Sequence, residues 1–467
     1  MKKILYSIFA MSLLLGTMTS CNNDDLDPTL ADKKDIENVK TVSDLTGLLN
    51  GAYNRMTNVS YYGRDFIIYG EVRADNTFAN GNSNRFVQEG AMDVLSTYTN
   101  QTNTWDIMYK VIANCNIIIA ADVTGDEGEI NYVKGQALAL RALVHFDLLK
   151  LYGQQHVNGG GLNALGVPYI SKYKDMNNLY PTRNTVNEVK NFAFADLNLA
   201  IQKIQAGTAS GNSKETVGIN AVRAIQARMA LYFGDWQLAK TASQEILDTN
   251  QYTITASDKY KDSFDSKQSG NSIFELAFRG NDNLGNNSLT QIYQATNYGD
   301  VQVLQNLVDL YSATDVRSNG DLFPGEPSQM IRKVSNRWRN YGKYPTLESN
   351  VKIFRVEEIY LINAEARFEL DNADPIALTN LNAIPARRGA AAYASATKAN
   401  ILLERRKEFA FEGFRFDDLA RTGQSIPNVD PQQTHGGPAY GSTKYAFPIP
   451  LTEITANSNL VQNAGYN

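Results

Sequence analysis

Residues 401–421 read ILLERRKEFAFEGFRFDDLAR, a helix-length stretch that sets four phenylalanines among a dense run of charges of both signs. At 100° per residue, Leu402, Phe409, Gly413, Phe416 and Ala420 share one face, while Phe411 and Phe414 point away from it. A helix apolar on several sides is buried on several sides, so the spacing predicts one central helix over 401–421. Glu408, Glu412 and Arg415 fall on a common stripe, where burial forces charges to pair or to bond backbone groups. The adjacent carboxylates Asp417-Asp418, like Glu357-Glu358, diverge on a helix, whereas glycosidase chemistry needs two carboxylates facing each other across a substrate.

Working outward, the tail Phe447-Pro448-Ile449-Pro450 leads through Asn457, Leu460, Gln462 and Asn463 to Gly465-Tyr466. Upstream, Val356–Leu370 has helical spacing. Asn220–Phe233 places Ala221, Ala224, Ala227 and Ala230 at steps of three, so a neighbouring helix can approach closely. Gly234-Asp235 then turns the chain into Trp236–Leu247, an arrangement like a tetratricopeptide hairpin, and one such hairpin cannot bury its apolar face alone. Three more pairings are expected: Thr41–Met56 with Trp105–Ala121, Glu129–Tyr152 with Thr185–Gln205, and Val356–Leu370 with either Ile376–Arg387 or Ile401–Arg421. Ser43 is the expected cap of the first helix and Asn184 or Thr185 that of the helix through Ile201.

Two long segments, 59–103 and 251–344, break this periodicity and are rich in Asn, Gly, Ser, Thr and aromatics; long irregular segments in compact proteins are often functional. Within the second, Ser272–Phe278 alternates like a strand. Asp315–Asp321 has the look of a calcium loop, but Arg317 stands at a ligand position, so the segment reads as an Asp-x-Arg turn. Gly159-Gly160-Gly161 lacks the Lys-Ser/Thr of a phosphate loop. His145, His156 and His435 are scattered and make no zinc motif, and His145 reads as a satisfied interhelix donor. No cofactor motif is found.

The N-terminus carries Lys2 and Lys3, an apolar run to Leu15, and Met18-Thr19-Ser20-Cys21, which resembles a bacterial lipobox. Residues 1–20 are therefore read as a signal peptide, Cys21 as the lipid-attachment residue, and 21–40 as a polar tether; Asn22-Asn23-Asp24-Asp25 resembles a surface-export tag. Residues 41–467 form one domain. Hydrophobic content of 43% with 20% charge is ordinary globular usage, and the net charge of −5 comes without a basic concentration that would suggest a nucleic-acid face. With Cys21 lipidated only Cys115 remains, which excludes an intrachain disulfide. Tyrosine is abundant, at 25 residues against 3 Trp, and that surplus suits an aromatic binding surface.

Glu404–Arg421 closely resembles the C-terminal signature of the SusD/RagB family, ERRxEFAFEGxRFxDLxR. Glu404, Glu408, Glu412, Arg415, Asp418 and Arg421 carry the match, and the segments 355–365 and 447–466 and the Trp-x-x-x-Tyr at Trp105 extend it. The departure is Pro385, which interrupts the usual run at Leu381–Arg388. The resemblance implies a mainly α fold, with four degenerate TPR-like helical hairpins in a superhelix and a large irregular ligand-binding region. It also implies a non-catalytic outer-membrane lipoprotein facing the exterior, which captures oligosaccharides, or oligopeptides in RagB-like members, and delivers them to a TonB-dependent transporter. Sugar recognition wants aromatic faces and amide or charged donors. The expected ligand contacts are Asn76, Phe78, Asn82, Arg85, Phe86 and Tyr98 from the first segment and Arg279, Asn281, Tyr293 and Tyr298 from the second.

Overall fold

Thr41 opens the first helix with a capping box: its hydroxyl accepts from the Asp44 N–H (3.3 Å) and the Asp44 carboxylate accepts from the Thr41 N–H (3.0 Å). The first helix, α1 (Val42–Met56), therefore starts upstream of the expected cap at Ser43. The computed structural model describes residues 39–209, 211–294, 298–317 and 330–466. The expected signal peptide, Cys21, most of the expected tether and the second half of the Asp315–Asp321 turn lie outside the described residues.

The chain continues with α2 (Asp65–Val72), β1 (Thr77–Ala79), α3 (Val87–Ala91), α4 (Thr99–Ala120), α5 (Glu127–Tyr152), α6 (Val186–Gln205), α7 (Ile219–Phe233) and α8 (Trp236–Asp248). Then come β2 (Ser272–Leu276), α9 (Leu289–Tyr293), β3 (Val301–Val303), β4 (Ile331–Val334), β5 (Arg337–Asn340) and β6 (Val351–Arg355). The last elements are α10 (Val356–Leu370), α11 (Pro375–Asn382), α12 (Lys398–Glu408), α13 (Arg415–Arg421) and α14 (Leu451–Ala456).

The long helices stack in order: α1 on α4, α4 on α5, α5 on α6, α6 on α7, α7 on α8, α8 on α10, and α10 on α11 and α12. All four expected pairings occur. The alanine face of α7 is fully used, since Ala227 and Ala230 pack with Ala239 and Ala242 of α8 and Ile362 and Ala366 of α10. Gly234 makes the α7–α8 turn at φ 72°, a conformation that costs glycine nothing, and Asp235 caps α8. Thr185, not Asn184, caps α6 in a second capping box with Glu188. His145 is satisfied and buried, but not between helices: it bonds the Arg141 carbonyl of its own helix at 2.8 Å and accepts from the Ile170 N–H of the following loop at 3.0 Å, and burial pushes its pKa down to about 3.

The irregular segments supply the four-stranded antiparallel sheet of order β1-β3-β5-β4, and β2 of the second segment pairs with β6, which follows it, in a second small sheet. The expected strand at Ser272 is β2, whose Phe274 sits opposite Phe354.

The central stretch departs from the single helix its period suggested. Helix α12 stops at Glu408, Phe411 and Gly413 take φ of 74° and 84°, and α13 begins at Arg415. The cause is a close crossing: a Cβ on Gly70 would lie 2.0 Å from the Gly413 carbonyl oxygen, and the Gly413 N–H donates to Glu71 Oε1 at 2.8 Å. The break sends the rings to different places. Phe409 joins Leu361, Leu381 and Ile401, Phe411 meets Tyr293 edge-on, and Phe416 packs with Leu419, Ile426 and Tyr445.

The charges of this stretch build a buried cage. Glu408 accepts from Arg388 Nη2 (2.9 Å), Arg355 Nη1 (3.0 Å) and Arg317 Nη1 (3.1 Å). Arg317 is also held by Asp315 and Glu404, and Glu412 by Arg355 and Lys343. Against the penalty of burial, Arg388, Arg355 and Arg317 hold the Glu408 carboxyl well below its usual range. Arg415 pairs with Asp75, and Asp418 with Arg405 and Arg421.

Candidate ligand-binding surface

The two irregular segments meet where β1 pairs with β3, in the register Phe78 opposite Gln302. Beyond the strands the pairing continues through side chains. The Asn80 N–H donates to the Asp300 carbonyl (2.9 Å), its amide to the Gly299 carbonyl (2.8 Å), and the Ser83 hydroxyl to the Asp300 carboxylate. Arg85 joins the two segments, bonding Asp300 (3.4 Å) and Asn287 (3.1 Å) and lying 4.7 Å over the Tyr298 ring. Arg64 bonds the same Asn287 oxygen at 2.9 Å and covers the Phe86 ring. Beside it, burial pushes Asp65 up to about 6 although Arg64 opposes the shift.

The β4–β5 hairpin extends this surface. Arg339 donates to the Gly299 carbonyl at 2.6 Å, and Trp338 pairs with Val303 in the sheet. Trp338 then lines a cleft of about 210 Å³ with Phe78, Gln305, Lys333, Arg337 and Gln432 among others. Its indole N–H donates to Gln305 Oε1 at 2.8 Å.

Of the expected contacts, Arg85 and Tyr298 come together at the surface, and Asn82 is exposed in the turn where its N–H donates to Asn80 Oδ1 at 2.9 Å. Phe78 is mostly buried and shows only an edge to the cleft. Three positions are corrections. Tyr293 is fully buried, with its hydroxyl on the Phe411 carbonyl; Phe86 is buried under Arg64; Asn76 is buried and accepts from Arg406 Nε at 2.8 Å. All three are buried in packing contacts and expose no face to a ligand. Tyr98 caps α4 in a segment tied to α14 by the Leu451 N–H on the Ser96 carbonyl. Arg279 pairs with Glu215 at 2.6 Å, and Asn281 is exposed in the turn that follows. Trp338 and Asn287, which the structure adds to this region, were not among the expected contacts; the available signal was the third tryptophan set between two arginines in Arg337-Trp338-Arg339.

Two family models match the chain: the SusD family over residues 327–466, and a family described as starch-binding and associating with the outer membrane over residues 28–231. A SusD-like protein, P38, of Formosa agariphila is 23% identical, with 98% of each chain covered. The starch-binding protein SusD of Bacteroides thetaiotaomicron is 31% identical over 144 residues, 28% of this chain and 25% of that protein. A solved SusD superfamily structure from B. thetaiotaomicron superposes with a TM-score of 0.81 at 25% identity, covering 91% of this chain and 99% of the other.

This chain belongs to the SusD family. Its signature residues are those of the buried cage, so in this SusD-family member the motif is scaffold. Asp417 pairs with Lys150 while Asp418 turns to Arg405 and Arg421, and Glu357 and Glu358 part in the same way toward Arg388 and Arg228. Among the described residues, no three His, Cys, Asp or Glu side chains group to hold a metal ion, and no helix is long and apolar enough to cross a membrane.

Proposed function

We propose that the protein captures oligosaccharides on the surface formed by Asn82, Arg85, Asn287, Tyr298 and Trp338, without turning them over. The observation that carries this reading is Arg85, which ties both irregular segments together and brings the Tyr298 ring and the Asn287 amide to one guanidinium. Aromatic faces stack on the apolar side of a sugar ring while guanidinium and amide groups bond its hydroxyls. Asp300, the carboxylate at that face, is occupied by Ser83 and Arg85 and is not poised for acid–base work. The matched family's starch-binding description and the starch-binding relative agree with this assignment. In the same proposal, Cys21 carries the lipid that holds the chain on the outer membrane, facing the exterior, and the captured glycan passes to a TonB-dependent transporter.

Calorimetric titration of the purified chain with a panel of glycans and a mixed peptide pool tests the reading. Binding to one glycan class is expected, and a Tyr298→Ala/Trp338→Ala double variant should lose roughly tenfold or more in affinity. Peptide-only binding, or full glycan affinity in the double variant, refutes it.

A further inference from the structure

The chain is net acidic, at −5, yet the cleft at Trp338 is lined by two exposed cations, Lys333 and Arg337, against a single carboxylate, Asp430. Lys333 stands across the hairpin from Trp338, with its ammonium 5.3 Å from the ring centroid. Arg337 donates to the amide oxygen of Gln432 at 2.8 Å. Among the described residues neither forms an ion pair, and Asp430 is engaged locally by the Gln432 N–H at 2.9 Å.

That pairing state separates these two from Arg339, Lys343 and Arg85. Arg339 is turned inward onto the Gly299 carbonyl, Lys343 is buried against Glu412, and Arg85 is committed to Asp300. Unpaired cations held on a short antiparallel hairpin beside an indole are not needed by the fold, since their removal leaves no buried partner uncompensated. A guanidinium offers a planar fork of donors that matches carboxylate and sulfate oxygens, and a lysine adds a second point charge.

We infer that the glycan taken at this surface is anionic, a sugar chain bearing carboxylate or sulfate groups, with Arg337 and Lys333 reading the charge and Trp338 the ring. This inference rests on the glycan-capture reading of the same site and names the substrate class within it.

The test titrates the full mature chain with three oligosaccharide sets of matched length: oligogalacturonates, sulfated oligosaccharides and neutral maltooligosaccharides. One of the two anionic sets should bind at least roughly tenfold more tightly than the neutral set, and which one does distinguishes carboxylate from sulfate. A Lys333→Gln/Arg337→Gln double variant, exposed at both positions, should lose about 10- to 100-fold for that set, and added salt should weaken wild-type binding in the same direction. Neutral sugars bound as tightly as anionic ones, with Trp338→Ala weakening them, overturn the charge assignment and leave glycan capture standing. No glycan bound by the wild type overturns both.

Discussion

Replacing Glu71 by Gln should stabilise the protein at neutral and alkaline pH and do little in mild acid. Glu71 lies on α2 with no exposed surface, directly beneath the α12–α13 break. Its Oε1 accepts from the Gly413 N–H at 2.8 Å, while Oε2 has no partner among the described residues. Burial pushes its pKa from 4.5 up to about 7, with the backbone bonds and Lys343 only partly offsetting it. A carboxyl whose folded pKa is raised favours the fold fully below its unfolded pKa, and that contribution disappears as pH climbs toward the folded value. From those two pKa values, the wild type gives up about 2.5 kcal/mol between about pH 5 and about pH 8, at ~1.36 kcal/mol per unit. Glutamine keeps the oxygen that receives the Gly413 N–H and carries no charge at any of these pH values.

The comparison must be made between variant and wild type, because other groups titrate as well. Glu365, for example, is held at about 2 by Arg421 and Lys398 against its burial, so its stabilisation is present above about pH 4.5 and fades as pH falls toward 2. Such terms are common to both chains and cancel in the difference between them, while any fixed cost of placing an amide N–H₂ where Oε2 stood is the same at both pH values and cancels when that difference is compared between them. Urea titrations of both chains at about pH 5 and about pH 8 give the quantity required, a change of about 2–3 kcal/mol in the stability difference in favour of Gln at the higher pH. A difference that stays within about 0.5 kcal/mol across that range would mean that Glu71 ionises normally inside the protein, and would refute the reasoning.

Two further outcomes follow from the same crossing and from the cage above it. Gly70→Ala should cost about 3 kcal/mol, the upper end of overpacking, because its Cβ meets the Gly413 oxygen at 2.0 Å, whereas Gly90→Ala, whose Cβ sits 3.5 Å from Ala79 Cβ, should stay within about 1 kcal/mol of wild type; equal denaturation midpoints for the two would contradict the contact. Glu408→Gln keeps side-chain volume but takes the shared carboxylate from Arg317, Arg355 and Arg388, so a loss of about 3–5 kcal/mol is expected in denaturant titration, and a loss under about 1 kcal/mol would mean that the three guanidiniums are satisfied without it.

The helices were legible because their signals are local. Capping at Thr185, the Gly234 turn and the alanine steps of α7 each lie within a few residues of the structure they dictate. The buried pairing of Glu408, Glu412 and Arg415 was legible too, although its partners Asp75, Arg317 and Arg388 were not. The break in the central stretch was hidden for a physical reason: the residues that cause it, Gly70 and Glu71, lie some 340 positions away, and period alone continues a helix through Gly413.

Site residues divide along the same line. An aromatic ring in an irregular segment reads alike whether it faces a ligand or a neighbouring loop, so Tyr298 and Tyr293 looked equivalent from sequence. Only the fold separates them, placing Tyr298 under Arg85 at the surface and Tyr293 in the core against Tyr344 and Phe411. The cage must bury charges, and buried charges tolerate few alternatives, so its residues make a recognisable string. The face at Arg85, Tyr298 and Trp338 rests on strands three or four residues long whose register is set by distant partners. Its side chains can change without disturbing the cage, so a signature that identifies the scaffold says nothing of the ligand, and the proposed glycan reading rests on the charges and rings of this face alone.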